Sequence, residues 1–263
     1  MRRAISILCA LAVASAVLPA PASGSANRPK IGLALSGGGA RGAAHIGVLK
    51  VLEEYRIPID YIAGTSMGAI VGGLYASGLS TDELEALISE VDWADAFVNR
   101  IPREDRSFRR KRDDDLFLVK NKPGVAPGGF HFPPGILDGQ KIDLLLKKYT
   151  LPVVTVSDFD DLAIPFRAVA ADIVTGEPVV LDHGDLALAM RASMSIPVVF
   201  APREIDGRLL VDGGVSSNLP IDVVRRMGAD VVIAVDISTP LAEREQIQSL
   251  LAITDQLMTI LTR

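Results

Sequence analysis

The stretch Gly64-Thr65-Ser66-Met67-Gly68 decides how this sequence folds and where its chemistry lies. It follows the apolar run Asp60-Tyr61-Ile62-Ala63 and precedes a helix-like stretch, residues 69–75. A serine between two glycines at a strand-to-helix turn has the form of a nucleophile elbow. Glycine is needed at the flanking positions because the turn crowds side chains there. The turn lifts the serine oxygen to the positive end of the following helix. The stretch therefore predicts a strand–turn–helix unit with Ser66 as candidate nucleophile.

A second glycine-rich turn comes earlier in the chain. The stretch Ser36-Gly37-Gly38-Gly39-Ala40-Arg41-Gly42 follows the apolar run Ile31-Gly32-Leu33-Ala34-Leu35, and a helix pattern comes after it. Consecutive glycines at such a turn leave backbone N–H groups free and approachable. These groups can cradle a phosphate or form an oxyanion hole.

The third feature is an acid in a glycine turn, Asp212-Gly213-Gly214, after the strand-like stretch 208–211. The histidines of the chain are His45, His131 and His183, and none follows Asp212. The chain order serine, acid, histidine of an α/β-hydrolase triad is therefore absent. A triad in another order stays open because triads are defined by geometry. A serine–aspartate dyad is the economical alternative.

Together these motifs resemble those of the patatin-like phospholipases. The resemblance covers roughly residues 29 to 238, including Asn218-Leu219-Pro220 and residues 192–202. It implies that Ser66 is the nucleophile and Asp212 the base. It further implies a phospholipase A or lysophospholipase that cleaves acyl esters of phospholipids or lysophospholipids without metal or cofactor. The remaining implied site residues are the oxyanion-hole loop Gly37, Gly38, Gly39 and Ala40, supported by Arg41, Gly42, Gly64, Gly68, Gly213 and Gly214.

Three other functions compete with hydrolysis. Acyl transfer to an acceptor other than water would use the same acyl-serine. A noncatalytic lipid-binding module would keep the fold, although intact Ser66, Asp212 and glycine loop argue against it. Finally, G-x-G-x-x-G after a strand can bind a dinucleotide. That fold needs an acid at the end of the second strand, whereas Asp60 stands at its start.

Composition predicts a single α/β domain. The chain has 263 residues and 49% hydrophobic content, enough for a sizeable core. Apolar runs alternate with helical patterns, which favours a three-layer sandwich around a mainly parallel central sheet, as in patatin-like proteins. The predicted strands are 30–36, 60–65, 164–171, 178–181, 208–212 and 231–238, and the predicted helices are 41–55, 67–77, 81–90, 139–149, 185–194, 219–227 and 242–261.

Residues 1–26 are predicted to be a signal peptide. Arg2 and Arg3 precede the apolar run 4–18, which is short for a membrane span, and Ala20-Pro21-Ala22 offers a cleavage site. The expected location is periplasmic, outer-membrane-associated or secreted, and the alternative is an uncleaved anchor. The catalytic domain is predicted over 27–263. An apolar stripe continues almost to the last residue, so a native end and a truncation before further domains both fit.

Charge and residue distribution bear on the partners. A net charge of −5 makes the chain a poor nucleic-acid binder. With three scattered histidines, no metal site is expected. The irregular segment 92–138 mixes aromatic residues with charges of both signs. It is either a solvated surface or a lip that meets phospholipid headgroups, so a membrane surface is a predicted partner. The oligomeric state is left open.

Overall fold

The computed structural model describes residues 28–92, 104, 107–108, 124–126, 129–131, 139–238 and 240–261. The predicted signal peptide and most of the predicted lip lie outside these residues. The strands are β1 Ile31–Leu35, β2 Tyr61–Thr65, β3 Gly124–Ala126, β4 Gly129–His131, β5 Phe166–Asp172, β6 Pro178–Leu181, β7 Arg203–Ile205, β8 Arg208–Asp212 and β9 Val231–Val235. The helices are α1 Ala43–Glu54, α2 Met67–Ala76, α3 Thr81–Glu90, α4 Gln140–Thr150, α5 Leu186–Ser193, α6 Ile221–Arg226 and α7 Leu250–Leu261.

A seven-stranded mixed sheet forms the centre of the molecule. Its order is β7-β8-β5-β2-β1-β9, and β6 pairs with the other edge of β5. Strands β9, β1, β2 and β5 run parallel to one another. Strands β6, β8 and β7 join by antiparallel pairing, while β3 and β4 form a separate hairpin. The predicted α/β class is confirmed, with the parallel strands forming one half of the sheet.

Helices cover both faces of the sheet, as the layered fold requires. Successive side chains of a strand point to opposite faces of the sheet, so alternate residues pack into different core clusters. Leu33 and Leu35 of β1 join the larger core cluster, which α1 to α5 cover, whereas Ala34 lies in the smaller cluster. The smaller cluster packs against Val223 and Val224 of α6. Small residues on this face let α6 approach closely.

Most predicted elements are present with ends shifted by a few residues. Strand β9 ends at Val235, short of the predicted 238, because the chain turns there and the N–H of Ile237 donates to Ser36 Oγ. The predicted helix 242–261 is a short 3₁₀ turn, Arg244–Gln246, followed by α7. Strands β3, β4 and β7 were not predicted, and three residues carry too little pattern to be recognised as a strand. None of the helices in the described ranges combines the length and apolar content needed to cross a bilayer.

Candidate active site

Ser66 lies at the turn between β2 and α2, in a strained backbone conformation. Its φ is 55° and its ψ is −120°. Residues other than glycine seldom adopt this backbone conformation, and those that do are concentrated at functional sites. The neighbouring glycines allow the turn to close. A Cβ at Gly64 would lie 2.3 Å from the carbonyl oxygen of Gly68, and one at Gly68 would lie 2.3 Å from that of Leu35. The elbow predicted from the sequence is thus present.

The side chains of Ser66 and Asp212 are hydrogen-bonded to each other. Ser66 Oγ donates to Asp212 Oδ2 at 2.7 Å, and the two residues are 7% and 3% exposed. The other carboxylate oxygen, Oδ1, accepts the N–H of Gly214 at 2.8 Å. Burial raises the pKa of Asp212 to about 6, although its hydrogen bonds with Ser66 and Gly214 oppose this shift. The carboxylate is therefore a stronger base than an exposed aspartate.

The pairing of the sheet explains why these residues meet. Strand β6 occupies one edge of β5, so β2 and β8 must share the other. Thr65, the last residue of β2, lies beside Val169, and Asp212, the last residue of β8, lies beside Ala170. Since β2 and β8 run in opposite directions, their carboxyl ends meet head to head. The junction brings the nucleophile turn against the acid.

The glycine-rich turn passes beside the elbow. A Cβ at Gly37 would lie 3.0 Å from Ser66 Cβ. The N–H of Gly37, however, donates to Asn218 Oδ1 at 3.1 Å, so it is not free to hold an oxyanion. The oxyanion-hole role of the loop stays a prediction. Gly38 is the N-cap of the 3₁₀ helix Gly39–Gly42, and Gly39 and Ala40 are in its first turn, where N–H groups have no internal partner.

These three N–H groups make no hydrogen bond within the described part of the chain, and Gly39 and Ala40 are exposed. They can therefore donate to a bound oxygen. Arg41 Nε donates to the carbonyl oxygen of Gly38 at 3.2 Å, the contact expected of a residue that anchors this loop. Gly42 fits it against α2, because a Cβ there would lie 2.8 Å from Met67 Cβ.

The acid turn is equally tight. A Cβ at Gly213 would lie 2.1 Å from the carbonyl oxygen of Val169, so only glycine lets the turn after β8 press against β5. Gly214 follows and supplies the N–H that binds Asp212. Gly213 thus lets the turn lie against β5, and Gly214 holds the carboxylate of Asp212 by a hydrogen bond.

The described histidine side chains make their hydrogen bonds away from the serine–acid pair. His45 is buried in α1, and its Nε2 donates to the carbonyl oxygen of Ser36 at 2.9 Å. Burial lowers its pKa. His183 is exposed and pairs with Asp182, which raises its pKa. His131 ends β4, and its side chain lies outside the described part of the chain.

Two side chains at the site were not assigned a role from the sequence. Ser193 Oγ accepts the N–H of Ser66 at 2.8 Å and donates to the carbonyl oxygen of Val169 at 2.6 Å. From the sequence alone Ser193 is a packing or turn hydroxyl. Asn218 belongs to the stretch that carries the family resemblance, yet nothing in its pattern indicates that it holds Gly37. Both contacts join residues far apart in the chain, so no local signal could have predicted them.

The acid proposed for a dinucleotide site is engaged elsewhere. Asp60 stands at the start of β2 and accepts two hydrogen bonds of 2.6 Å from Arg28. The hydrogen bond with Arg28 is the main reason that its pKa is lowered. Its Oδ2 also accepts the N–H of Ile31. This carboxylate lies at the opposite end of β2 from Ser66, so it is not placed to bind a ribose beside the glycine loop.

No cluster of metal-binding type is found among the described residues: nowhere do three or more His, Cys, Asp or Glu side chains converge. The groups gathered around Ser66 are the carboxylate of Asp212, the hydroxyl of Ser193 and backbone amides.

The structure combines a layered α/β fold with a serine that is hydrogen-bonded to a carboxylate at a strand-to-helix elbow. The sequence model of the patatin-like phospholipase family matches residues 33–225. The chain belongs to this family.

Relatives are found in bacteria and animals. An uncharacterised NTE family protein of Mycobacterium tuberculosis is 38% identical over 225 residues, which are 84% of this chain and 53% of the relative. The patatin-like phospholipase domain-containing protein 7 of Rattus norvegicus is 35% identical over 213 residues, 80% of this chain and 14% of the relative. The chain thus spans about half the length of the mycobacterial relative.

Among solved structures, VipD from Legionella pneumophila is similar with a TM-score of 0.46 and 17% identity, covering 73% of this chain and 47% of that one.

Proposed function

We propose that this chain is a serine lipid acyl hydrolase of phospholipase A or lysophospholipase type. The observation that carries the proposal is the 2.7 Å hydrogen bond from Ser66 Oγ to Asp212 Oδ2, at a site almost closed to solvent. A serine hydroxyl becomes a nucleophile when an adjacent base takes its proton. Membership of the family supports a lipid substrate.

In the proposed first step, Ser66 Oγ attacks the ester carbonyl carbon while its proton passes to Asp212 Oδ2. The carbonyl oxygen becomes an oxyanion, which accepts hydrogen bonds from the N–H groups of Gly38, Gly39 and Ala40. Preorganised donors of this kind supply a large share of the rate in acyl transfer. The tetrahedral intermediate then expels the alcohol, which takes the proton from Asp212 and leaves an acyl-serine.

In the second step, water attacks the acyl-serine and gives a proton to Asp212. The intermediate collapses to release the fatty acid, and Ser66 Oγ recovers its proton. The same carboxylate thus serves as base and then as acid in each half-reaction. Its raised pKa suits both roles, because a group with a pKa of about 6 accepts a proton more readily than an ordinary aspartate does.

We also propose the setting of the reaction. The basic and apolar N-terminal segment supports export, so the enzyme would work in the periplasm, at the outer membrane or outside the cell. A phospholipid or lysophospholipid would be met at a membrane surface. The matched relatives are longer than this chain, so this proposal concerns the part of them that the chain matches.

The test is covalent labelling with a fluorophosphonate, followed by hydrolysis of a short-chain ester. Ser66→Ala should lose both, with turnover reduced on the order of 10⁴-fold or more, while the protein still unfolds in one cooperative transition. Ser216→Ala is the matched control because it removes an exposed hydroxyl four residues beyond Asp212. Labelling and turnover that survive in Ser66→Ala would refute the proposal. Wild-type protein that neither labels nor hydrolyses would point instead to a lipid-binding module.

A further inference from the structure

The hydroxyl of Ser193 lies between two facing backbone groups where β2 leaves the sheet. Its oxygen is 2.8 Å from the nitrogen of Ser66 and 2.6 Å from the carbonyl oxygen of Val169. Ser193 is completely buried. Its hydroxyl therefore accepts a hydrogen bond from the N–H of Ser66 and donates one to the carbonyl oxygen of Val169 without competition from water. It thereby joins the residue that follows β2 to Val169 of β5, next to the point where β8 begins to pair with β5.

We propose that Ser193 is a positioning residue that keeps the nucleophile aligned with its base. The inference rests on the proposed function of Ser66. The hydroxyl connects the backbone of Ser66 to Val169, and the next residue of β5, Ala170, pairs with Asp212. Nucleophile and base are therefore both held to adjacent residues of one strand.

The backbone of Ser66 needs such a support. Its positive φ is strained, and a strained conformation persists only where its surroundings determine it. Without Ser193 Oγ, a buried N–H and a buried carbonyl would each lose a partner, and both losses favour a shift of the turn. A shift of the turn moves Ser66 Oγ away from Asp212 Oδ2. Displacements of about 1 Å at a reacting group can cost about 100-fold in rate.

The bridge also bears on where the oxyanion is held. The N–H of Ser66 is engaged by Ser193 Oγ, and the N–H of Gly37 is engaged by Asn218. Both groups adjoin the nucleophile, and neither is free. The developing charge would then rely on the N–H groups of Gly38, Gly39 and Ala40, which makes the alignment of Ser66 with that loop more demanding.

The experiment compares Ser193→Ala with wild type on a short-chain ester, measuring kcat, KM and the pH dependence of kcat. The expected result is a kcat lower by about 10- to 100-fold with KM changed less than about 3-fold. The pH below which kcat falls should move upward, because a weaker hydrogen bond from Ser66 Oγ opposes the raised pKa of Asp212 less. Thr150→Val is the control: it removes a buried hydroxyl, bonded to the carbonyl oxygen of Leu146, in a helix outside the site. It should lower the melting temperature without lowering kcat.

A Ser193→Ala enzyme with wild-type kcat would overturn the inference, and so would a loss of kcat with the pH profile unmoved or displaced to lower pH. If Ser193→Ala does not fold, Ser193→Cys decides, since sulfur nearly keeps the volume but is a weak hydrogen-bond partner. Its kcat should fall by a similar factor, and an unchanged kcat would refute the role. These outcomes require an active wild type. An inactive wild type would instead remove the proposed function, and this inference with it.

Discussion

Asp212→Asn should stop turnover and, at the same time, stabilise the fold at neutral and alkaline pH. Burial raises the pKa of Asp212 from 3.8 to about 6. Between pH 3.8 and about pH 6, Asp212 keeps its proton in the folded protein and loses it in the unfolded chain. The neutral carboxyl group therefore contributes to the free energy of unfolding. This contribution is complete below pH 3.8 and is lost as the pH rises through about 6. At about 1.36 kcal/mol for each pKa unit, the ionised carboxylate costs the native state about 3 kcal/mol at pH 8.

Asparagine avoids that cost and fits the same contacts. Its Oδ1 can still accept the N–H of Gly214, and its amide can donate to Ser66 Oγ. The amide cannot take the serine proton, so turnover should fall on the order of 10⁴-fold, as for Ser66→Ala. The double variant should be little worse than either single one, because groups that act as a unit show non-additive losses.

Thermal unfolding at two pH values measures the stability change. At pH 8 the variant should melt about 6 °C or more above wild type, since about 1 kcal/mol corresponds to about 2–4 °C in a protein of this size. Near pH 4 the difference should nearly vanish, because Asp212 is then neutral in the wild-type fold. All other ionisable groups are common to both proteins, so the pH dependence of the difference isolates Asp212.

Two results would refute the reasoning. A variant that melts below wild type at pH 8, or by the same margin at both pH values, would contradict the cost assigned to the buried charge. A folded Asp212→Asn protein with unchanged turnover would contradict its role as base.

Three further outcomes are expected. The kcat should fall as the pH drops below about 6, because only ionised Asp212 can accept the serine proton; a flat profile from pH 5 to 7 would contradict this. Activity should persist in EDTA because the proposed oxyanion donors are backbone groups; loss in EDTA that calcium restores would contradict it. Joint replacement of His45 by Gln and of His131 and His183 by Asn should leave turnover substantially intact, and a folded but inactive triple variant would indicate a histidine base.

Local sequence was sufficient for most of the elements and for the turns at the site. Gly64 and Gly68 flank Ser66 because any side chain there would collide with backbone, and that constraint is visible in five consecutive residues. Apolar runs bounded by glycine and polar residues likewise marked β1, β2 and β8. Element ends were less certain, as with β9, because they depend on contacts such as the one between Ile237 and Ser36.

The meeting of Ser66 with Asp212 was expected from the lack of a histidine after Asp212 and from the family resemblance, since no local pattern joins two residues that are 146 positions apart. Its physical basis is the antiparallel pairing of β8 with β5 on the edge that β2 vacates. Strand direction of this kind is a property of the assembled sheet, because a strand's own residues fit either direction.

Tertiary structure alone also decided which hydroxyl and which amide support the site. Ser193 and Asn218 carry side chains common in loops and helix ends, and their importance comes from the buried backbone groups they satisfy. Gly37 shows the converse, because its motif suggests a free N–H, yet Asn218 takes it up. Sequence specifies which groups can donate and accept, whereas folding determines which of them are already paired. A buried polar group must find a partner wherever the chain brings one within reach.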